Sequence, residues 1–132
     1  MKVGAEIVIN VLLVAIGGAL GAGSRYLLGG WIQSRASSTF PWSTFIINVS
    51  GAFLIGIVYG FVERGILSAN TRLLLATGVL GGYTTFSTFS FETMSLIVSG
   101  SKGMALLNTI GQTVIGLIAV FSGLILVRSA MA

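Results

Sequence analysis

Long apolar stretches alternate with short polar segments along the whole chain, and this alternation predicts a bundle of membrane-spanning helices. A helix rises about 1.5 Å per residue, so roughly 20 apolar residues cross the hydrocarbon core of a bilayer, which is about 30 Å thick. The predicted spans cover residues 7–28, 42–62, 72–99 and 104–127. We therefore predict a single all-α integral membrane domain, residues 1–132, with four transmembrane helices.

The third predicted span differs from the others, because its apolar part is followed by a polar run. Residues 73–80 cover only about 12 Å of helix, which is too short to cross. The run contains three glycines, five hydroxyl residues, three phenylalanines and a glutamate: Gly78, Gly81, Gly82, Thr84, Thr85, Ser87, Thr88, Ser90, Phe86, Phe89, Phe91 and Glu92. Polar or irregular backbone at membrane depth is stable only where protein or water surrounds it. This run is therefore predicted to line an internal path.

A break in the third span is predicted from its length. Residues 72–99 as one straight helix would measure about 42 Å, which exceeds the hydrocarbon thickness of about 30 Å. The free-energy cost of interrupting the helix is lowest at Gly81, Gly82 and the threonines after them. Discontinuous helices present backbone groups to ions inside membranes.

Small and polar residues recur at helical spacing in the other spans. Gly17 and Gly21 are four residues apart, which predicts close contact with another helix. In the second span, one face carries Asn48, Ala52, Gly56 and Gly60. In the fourth span, two polar rows are formed by the pairs Asn108 with Gln112 and Thr109 with Thr113. The Asn48 amide is predicted to point at another helix or a cavity rather than at lipid.

A polar loop is predicted between the first two spans, at residues 29–43. It contains Gly29, Gly30 and the only proline, Pro41, and Trp31 and Trp42 flank it as residues suited to the headgroup layer. A cleaved signal peptide is the competing interpretation of residues 7–28, although Glu6 weakens the basic start that such a peptide requires.

Composition narrows the possible functions. The mean hydropathy is +1.02 and only 8% of residues are charged, as in integral membrane proteins. The chain contains no His, Cys or Asp, which excludes thiol, imidazole and zinc-cysteine chemistry, and its three glutamates make an enzyme a poor fit. The net charge of +4 comes from seven scattered basic residues that form no stripe along a phosphate backbone, so no nucleic-acid partner is predicted.

The positions of the basic residues also indicate how the chain is oriented in the membrane. With four spans, Lys2, Arg64, Arg72 and Arg128 fall on one side of the membrane, and Arg25, Arg35 and Lys102 fall on the other. An excess of basic residues normally sets the cytoplasmic side. Four against three is nearly balanced, so the chain can insert in both orientations, and an antiparallel homodimer becomes possible.

The segments that carry these features resemble the Fluc (CrcB) family of fluoride channels. The similar segments are residues 21–26 (Gly-Ala-Gly-Ser-Arg-Tyr), 48–56 (Asn-Val-Ser-Gly-Ala-Phe-Leu-Ile-Gly) and 81–92 (Gly-Gly-Tyr-Thr-Thr-Phe-Ser-Thr-Phe-Ser-Phe-Glu). The resemblance extends over four spans, the proline-containing loop and the broken third helix. The fourth helix departs from the family pattern at Gly116, where relatives carry a serine.

The resemblance implies an antiparallel dual-topology homodimer in the bacterial plasma (inner) membrane, with two fluoride pores and a structural Na⁺ at its centre. It implies that fluoride leaves the cytoplasm passively, which reduces fluoride toxicity. The implied fluoride path contains Asn48, Thr85, Phe86, Ser87, Phe89, Ser90, Asn108, Gln112 and Thr113. Arg25 and Glu92 are implied at the pore mouth, and the carbonyls of Gly81 and Thr84 are implied as sodium ligands.

The residue chemistry suits a small, strongly hydrated anion. Aromatic rings have a positive edge, and hydroxyl and amide groups donate hydrogen bonds, so Phe86, Phe89 and Asn48 offer repeated weak sites. A simpler interpretation is that the phenylalanines pack in a core and that Ser and Thr bond back to their own helix.

Two other functions remain as alternatives. A small dual-topology proton-coupled drug exporter requires a carboxylate within the first span, where only Glu6 lies, at the edge. A non-transporting assembly subunit would explain the glycine faces but not the polar run at residues 84–90.

Overall fold

The structure, a computed structural model, describes residues 2–131, which fold into helices joined by short turns. The helices are α1 (Lys2–Gln33), α2 (Trp42–Glu63), α3 (the consecutive stretches Ala69–Arg72, Leu73–Leu80 and Gly81–Tyr83), α4 (Phe86–Val98) and α5 (Lys102–Ala130). Within the described residues, three helical segments are long and apolar enough to cross a membrane: Val3–Gln33, Trp42–Glu63 and Lys102–Ala130. The remaining span is divided between α3 and α4.

The predicted break in the third span is confirmed. Thr84 (φ −81°, ψ 159°) and Thr85 (φ −149°, ψ 118°) have extended backbone between α3 and α4. The Thr85 side chain then starts α4, because its Oγ1 accepts a hydrogen bond from the backbone N–H of Thr88 at 3.3 Å. At 13 residues, α4 is only about 20 Å long, so neither half crosses the membrane alone.

The middle stretch of α3, Leu73–Leu80, is a π-helix. Its wider turn extends to Gly81, whose backbone N–H donates to the carbonyl of Ala76, five residues earlier. π-Helical turns are rare and are often found near functional sites. Here the π-helix directly precedes the break.

The first helix is longer than the predicted span of residues 7–28, and the predicted loop is correspondingly shorter. α1 continues through Gly29 and Gly30 to Gln33. Glycine costs up to about 1 kcal/mol in a helix relative to alanine. At Gly29 close packing offsets that cost, because an added Cβ would lie 3.0 Å from Oγ of Ser43 at the start of α2.

Glycine contacts hold the bundle together in two pairs of helices. Between α1 and α3, a Cβ at Gly17 would lie 2.5 Å from the carbonyl oxygen of Leu74, and a Cβ at Gly82 would lie 2.5 Å from that of Gly18. Between α2 and α5, a Cβ at Gly56 would lie 2.1 Å from the carbonyl oxygen of Val120. The predicted close approach of the small-residue faces is confirmed at both contacts.

Polar contacts join α2 and α5 at one end of the bundle. Arg128 forms an ion pair with Glu63, with Nη2 2.8 Å from Oε2. Arg64 donates to the backbone carbonyls of Arg128 and Met131 at 2.7 Å each, which satisfies free carbonyls at the end of α5.

The outer surface is strongly apolar, with Leu20 61% exposed and Leu117 68% exposed. Such a surface requires lipid or another protein against it.

Candidate functional site

The side chain of Asn48 closes the break in the third span. Its Oδ1 accepts a hydrogen bond from the backbone N–H of Thr85 at 2.9 Å, and its Nδ2 donates to the carbonyl of the same residue at 3.0 Å. One amide thus pairs with both backbone groups of an extended residue. Unpaired backbone groups are costly at membrane depth, so this pair of bonds stabilises the break.

The break also leaves two carbonyls outside regular helix bonding. In an unbroken helix, the Thr85 N–H would donate to the carbonyl of Gly81, but here it donates to Asn48. The Thr84 carbonyl accepts a hydrogen bond from Nη1 of Arg25 at 3.2 Å. Gly81 lies on the exposed surface and Thr84 is half-buried. Both residues predicted as sodium ligands therefore lie at the break.

Arg25 lies within α1 and not at its end, whereas the predicted span ended at residue 28. Because α1 continues to Gln33, Arg25 is about 12 Å of helix from the end of α1. Its guanidinium is half-buried and reaches the break through Thr84.

A groove of about 290 Å³ runs beside the break and contains most of the predicted fluoride path. The lining residues are Asn48, Thr84, Thr85, Phe86, Phe89, Gln112 and Thr113. The two phenyl rings lie side by side, with centroids 5.6 Å apart and planes at 49°. The Phe86 ring is 78% exposed. Phe86 is exposed and Phe89 beside it is half-buried, and both adjoin polar groups, which is the arrangement that a path along this face requires.

The three predicted amides are joined by hydrogen bonds. Asn48 Nδ2 donates to Oε1 of Gln112 at 2.7 Å, and Gln112 Nε2 donates to Oδ1 of Asn108 at 2.9 Å. Asn108 is fully buried and donates from Nδ2 to Oγ1 of Thr93 at 2.9 Å. Thr93 was not among the predicted site residues. Thr93 lies eight residues after Thr85 on the third span, and this spacing does not indicate that Thr93 contacts Asn108 on α5.

Several predicted hydroxyls bond back to their own helix, as the simpler interpretation expects. Ser90 Oγ donates to the carbonyl of Phe86 at 2.9 Å, and Thr113 Oγ1 donates to that of Thr109 at 2.8 Å. Ser87 instead lies 3.3 Å from the Thr85 hydroxyl, which also contacts the Thr88 hydroxyl at 3.0 Å. Thr113 lines the groove, whereas Ser87 and Ser90 do not.

Glu92 lies at one end of the bundle, in a second cavity of about 540 Å³. The cavity is lined by Gln33, Ser38, Thr39, Phe40, Pro41, Phe91, Glu92, Ser95, Leu96, Ser99 and Ser101. Oε1 of Glu92 accepts a hydrogen bond from Oγ1 of Thr44 at 2.8 Å. Within the described residues, the buried Oε2 has no hydrogen-bond partner. A cavity near the helix ends that contains a carboxylate and several hydroxyls is consistent with the predicted pore mouth.

Thr44 was missed by sequence reasoning, although a signal for it existed. It lies four residues before Asn48, so both project from one face of α2. Extending the row of Asn48, Ala52, Gly56 and Gly60 by one turn would have included it.

Comparison with known proteins places these features in one family. Residues 12–124 match the model of the family described as CrcB-like protein, Camphor Resistance (CrcB). A Thermus thermophilus protein named "Fluoride-specific ion channel FluC" is 50% identical over 112 residues, which cover 85% of this chain and 88% of the relative. A protein of the same name from Agrobacterium fabrum is 45% identical, covering 92% of this chain and 98% of the relative. A third, from Parabacteroides distasonis, is 45% identical, covering 89% and 92%.

Proposed function

We propose, on the premise that this chain belongs to the CrcB family, that it is a fluoride channel of a bacterial plasma membrane. It is a multi-pass membrane protein and an ion channel rather than an enzyme. Fluoride leaves the cytoplasm through it passively, which limits fluoride toxicity. The single observation that carries this function is the groove at the break, where Phe86 and Phe89 adjoin the amides of Asn48 and Gln112.

The groove offers an anion contacts that are attractive but weak. The edge of a phenyl ring is positive, so the rings attract an anion without a fixed charge. Among the lining groups, Gln112 donates one amide hydrogen to Asn108, and its other amide hydrogen can replace a water hydrogen bond to the anion. Conduction requires sites that bind an ion well enough to admit it and weakly enough to release it. The cation at the break, Arg25, hydrogen-bonds the Thr84 carbonyl and does not line the groove.

We expect fluoride to leave proteoliposomes rapidly and passively when this chain is present. The expected rate exceeds that of chloride and is unchanged when a proton gradient is imposed, because the groove has no titratable group among its lining residues. The measurement is fluoride and chloride efflux from matched vesicles, with protein-free vesicles as the control. Strict dependence on a proton gradient would instead support the drug exporter.

The channel functions as an antiparallel homodimer. One protomer alone leaves the groove open on one side and the Phe86 ring 78% exposed, so a second surface is needed to enclose the path. The basic residues divide four against three between the two sides, so neither orientation is favoured. A second copy in the opposite orientation supplies the missing surface.

Tags at the carboxyl end should therefore label both sides of the membrane in comparable amounts. The measurement is accessibility of the tag in intact and permeabilised cells. As the control, three lysines added after Ala132 should shift the chain to one orientation and reduce fluoride flux, because antiparallel pairing is lost. Labelling of one side only in the unmodified chain would contradict dual topology.

A sodium ion at the dimer centre is consistent with the carbonyls at the break. A hard cation favours oxygen ligands, and Gly81 and Thr84 supply two such oxygens per protomer. The Thr84 carbonyl already accepts one bond from Arg25, but a carbonyl oxygen has two lone pairs and can serve both. When bound, the ion would join the two broken helices electrostatically.

Exchange of Na⁺ for a large organic cation is expected to lower the thermal stability of the purified dimer. Binding at 100 times the dissociation constant stabilises a protein by about 2.7 kcal/mol, which shifts unfolding by several degrees. The measurement is thermal unfolding in detergent at constant ionic strength, with Li⁺ and K⁺ as comparison ions. Identical melting in all of these salts would exclude a structural sodium ion.

A further inference from the structure

A short segment of α2, residues 48–51, holds the break of the third span from two sides. On one side, the Asn48 amide pairs with both backbone groups of Thr85. On the other side, the phenol oxygen of Tyr83 lies 2.9 Å from Oγ of Ser50. The break is therefore attached to α2 at its second residue and at the residue that precedes it.

The Tyr83 phenol is the donor in its contact with Ser50. The hydroxyl hydrogen of Ser50 is already engaged, because Oγ of Ser50 donates to the carbonyl of Ile47 at 3.1 Å. A hydroxyl has one hydrogen and two lone pairs, so Ser50 accepts from Tyr83. Both side chains are half-buried in the bundle. A phenol hydroxyl that lost its partner there would leave a polar group without a hydrogen bond, which costs free energy.

Thr84 lies between the two attachments, and its extended backbone is fixed by them. The methyl group of Thr84 packs on Gly51, where an added Cβ would clash with it and would lie 3.2 Å from Cδ1 of Tyr83. Turning the Thr84 backbone would break one of the two attachments. The direction of the Thr84 carbonyl therefore depends on both of them.

Contacts with α1 restrict the same residues from the opposite side. The backbone nitrogen of Tyr83 would lie 2.8 Å from a Cβ added at Gly21, so the end of α3 is in close contact with α1. Arg25 of α1 donates to the Thr84 carbonyl at 3.2 Å. Tyr83 thus has its backbone against α1 and its phenol on α2, and it connects these helices beside the break.

We propose that Tyr83 and Ser50 are positioning residues for the cation site at the break, because their bond holds the Thr84 carbonyl in the direction that a hard cation requires. This inference rests on the proposed sodium ion. It extends the site from two carbonyls to two side chains that act through Thr84. Groups that orient the ligands of a metal ion contribute to its affinity, since ligands that are already ordered lose less entropy on binding.

The test measures affinity for Na⁺ as well as stability. The melting temperature of the purified full-length protein is followed against Na⁺ concentration, with a large organic cation keeping the ionic strength constant. The dissociation constant comes from the concentration at which the melting temperature begins to rise. Tyr83→Phe removes the hydroxyl and keeps the ring on Gly51. We expect the dissociation constant to rise by about threefold to tenfold, as for the loss of one hydrogen bond.

A purely structural role would give a different result in Tyr83→Phe. The melting temperature would then fall at every Na⁺ concentration, and the dissociation constant would stay at the parent value. Ser50→Ala removes the other partner of the same bond. We expect the double variant to match either single variant within about twofold, because all three lose one shared interaction. Ser50→Ala decides the point should Tyr83→Phe fail to fold.

Tyr59→Phe and Ser129→Ala are the matched controls. Tyr59 lies on α2 and is 44% exposed, and its hydroxyl makes no hydrogen bond among the described residues. Oγ of Ser129 donates to the carbonyl of Leu126, three residues earlier, as Oγ of Ser50 does within α2. Both controls should keep the parent dissociation constant for Na⁺.

Three outcomes would overturn the inference or its premise. An unchanged dissociation constant in Tyr83→Phe and Ser50→Ala would remove this pair from the cation site. Changes that multiply in the double variant, or an equal change in Tyr59→Phe, would show that the shared bond is not the cause. A parent protein whose melting temperature does not depend on Na⁺ would overturn the proposed sodium ion itself, and this result is seen before any variant is made.

Discussion

Replacing Phe86 by isoleucine is expected to abolish fluoride flux while leaving the proposed dimer assembled. The ring is 78% exposed in the protomer and lines the groove, so its removal disturbs little packing within the chain. Isoleucine has comparable bulk but no positive ring edge, so an anion at this point loses an attractive contact. We expect the rate to fall to roughly one hundredth or less, which corresponds to ~2.7 kcal/mol added to the barrier.

The measurement combines fluoride efflux from proteoliposomes with gel filtration of the purified protein. Phe121→Ile is the matched control, since Phe121 lies on α5, is 63% exposed, and belongs to neither the groove nor the cavity at Glu92. It should retain the parent rate. Undiminished flux in Phe86→Ile would remove Phe86 from the path and would weaken the assignment of the groove.

Replacing Gly21 by alanine is expected to prevent the first and third spans from packing. An added Cβ would lie 2.0 Å from the carbonyl oxygen of Val79 and 2.8 Å from the backbone nitrogen of Tyr83. Both atoms belong to the backbone of α3, which cannot move aside without separating the two helices. Overpacking of side chains already costs about 1–3 kcal/mol, and a clash with rigid backbone is expected to exceed that range.

Gly18→Ala on the same helix is the control for Gly21→Ala. There the nearest atom to an added Cβ is the carbonyl oxygen of Gly78 at 4.0 Å, which is ordinary van der Waals contact. We expect Gly18→Ala to elute as the parent protein does and to melt near the parent's melting temperature, whereas Gly21→Ala should aggregate or melt well below that temperature. Equal melting of the two variants would show that the contact between α1 and α3 is looser than the structure indicates.

The break and the inward face of α2 were predictable from the sequence, whereas the hydrogen bonds that join them were not. The break was predictable, because glycines followed by threonines cannot continue an apolar helix of the required length, and the structure has its extended residues at Thr84 and Thr85. The inward face of α2 was predictable from its spacing. The pairing of Asn48 with the backbone of Thr85 was not, because helical spacing predicts a face and not the partner that the face meets.

The depth of Arg25 depended on a contact that no local pattern reveals. Gly29 and Gly30 predict a helix end, which would place Arg25 near the membrane surface. In the structure, close packing of Gly29 on Ser43 of α2 lets α1 continue to Gln33, and Arg25 instead reaches the carbonyl of Thr84. Tertiary packing thus overrode the local preference of glycine.

The sequence by itself determined that this protein lies in a membrane, that its third span is interrupted, and which helix faces are small enough for close contact. These properties follow from hydrophobic length and residue size, which act locally. Only the tertiary structure decided which polar groups meet: Asn48 with Thr85, Gln112 with Asn108, and Thr93 with Asn108. The physical reason is that hydrogen bonds between distant residues form only after the helices dock, and their directions depend on the final geometry.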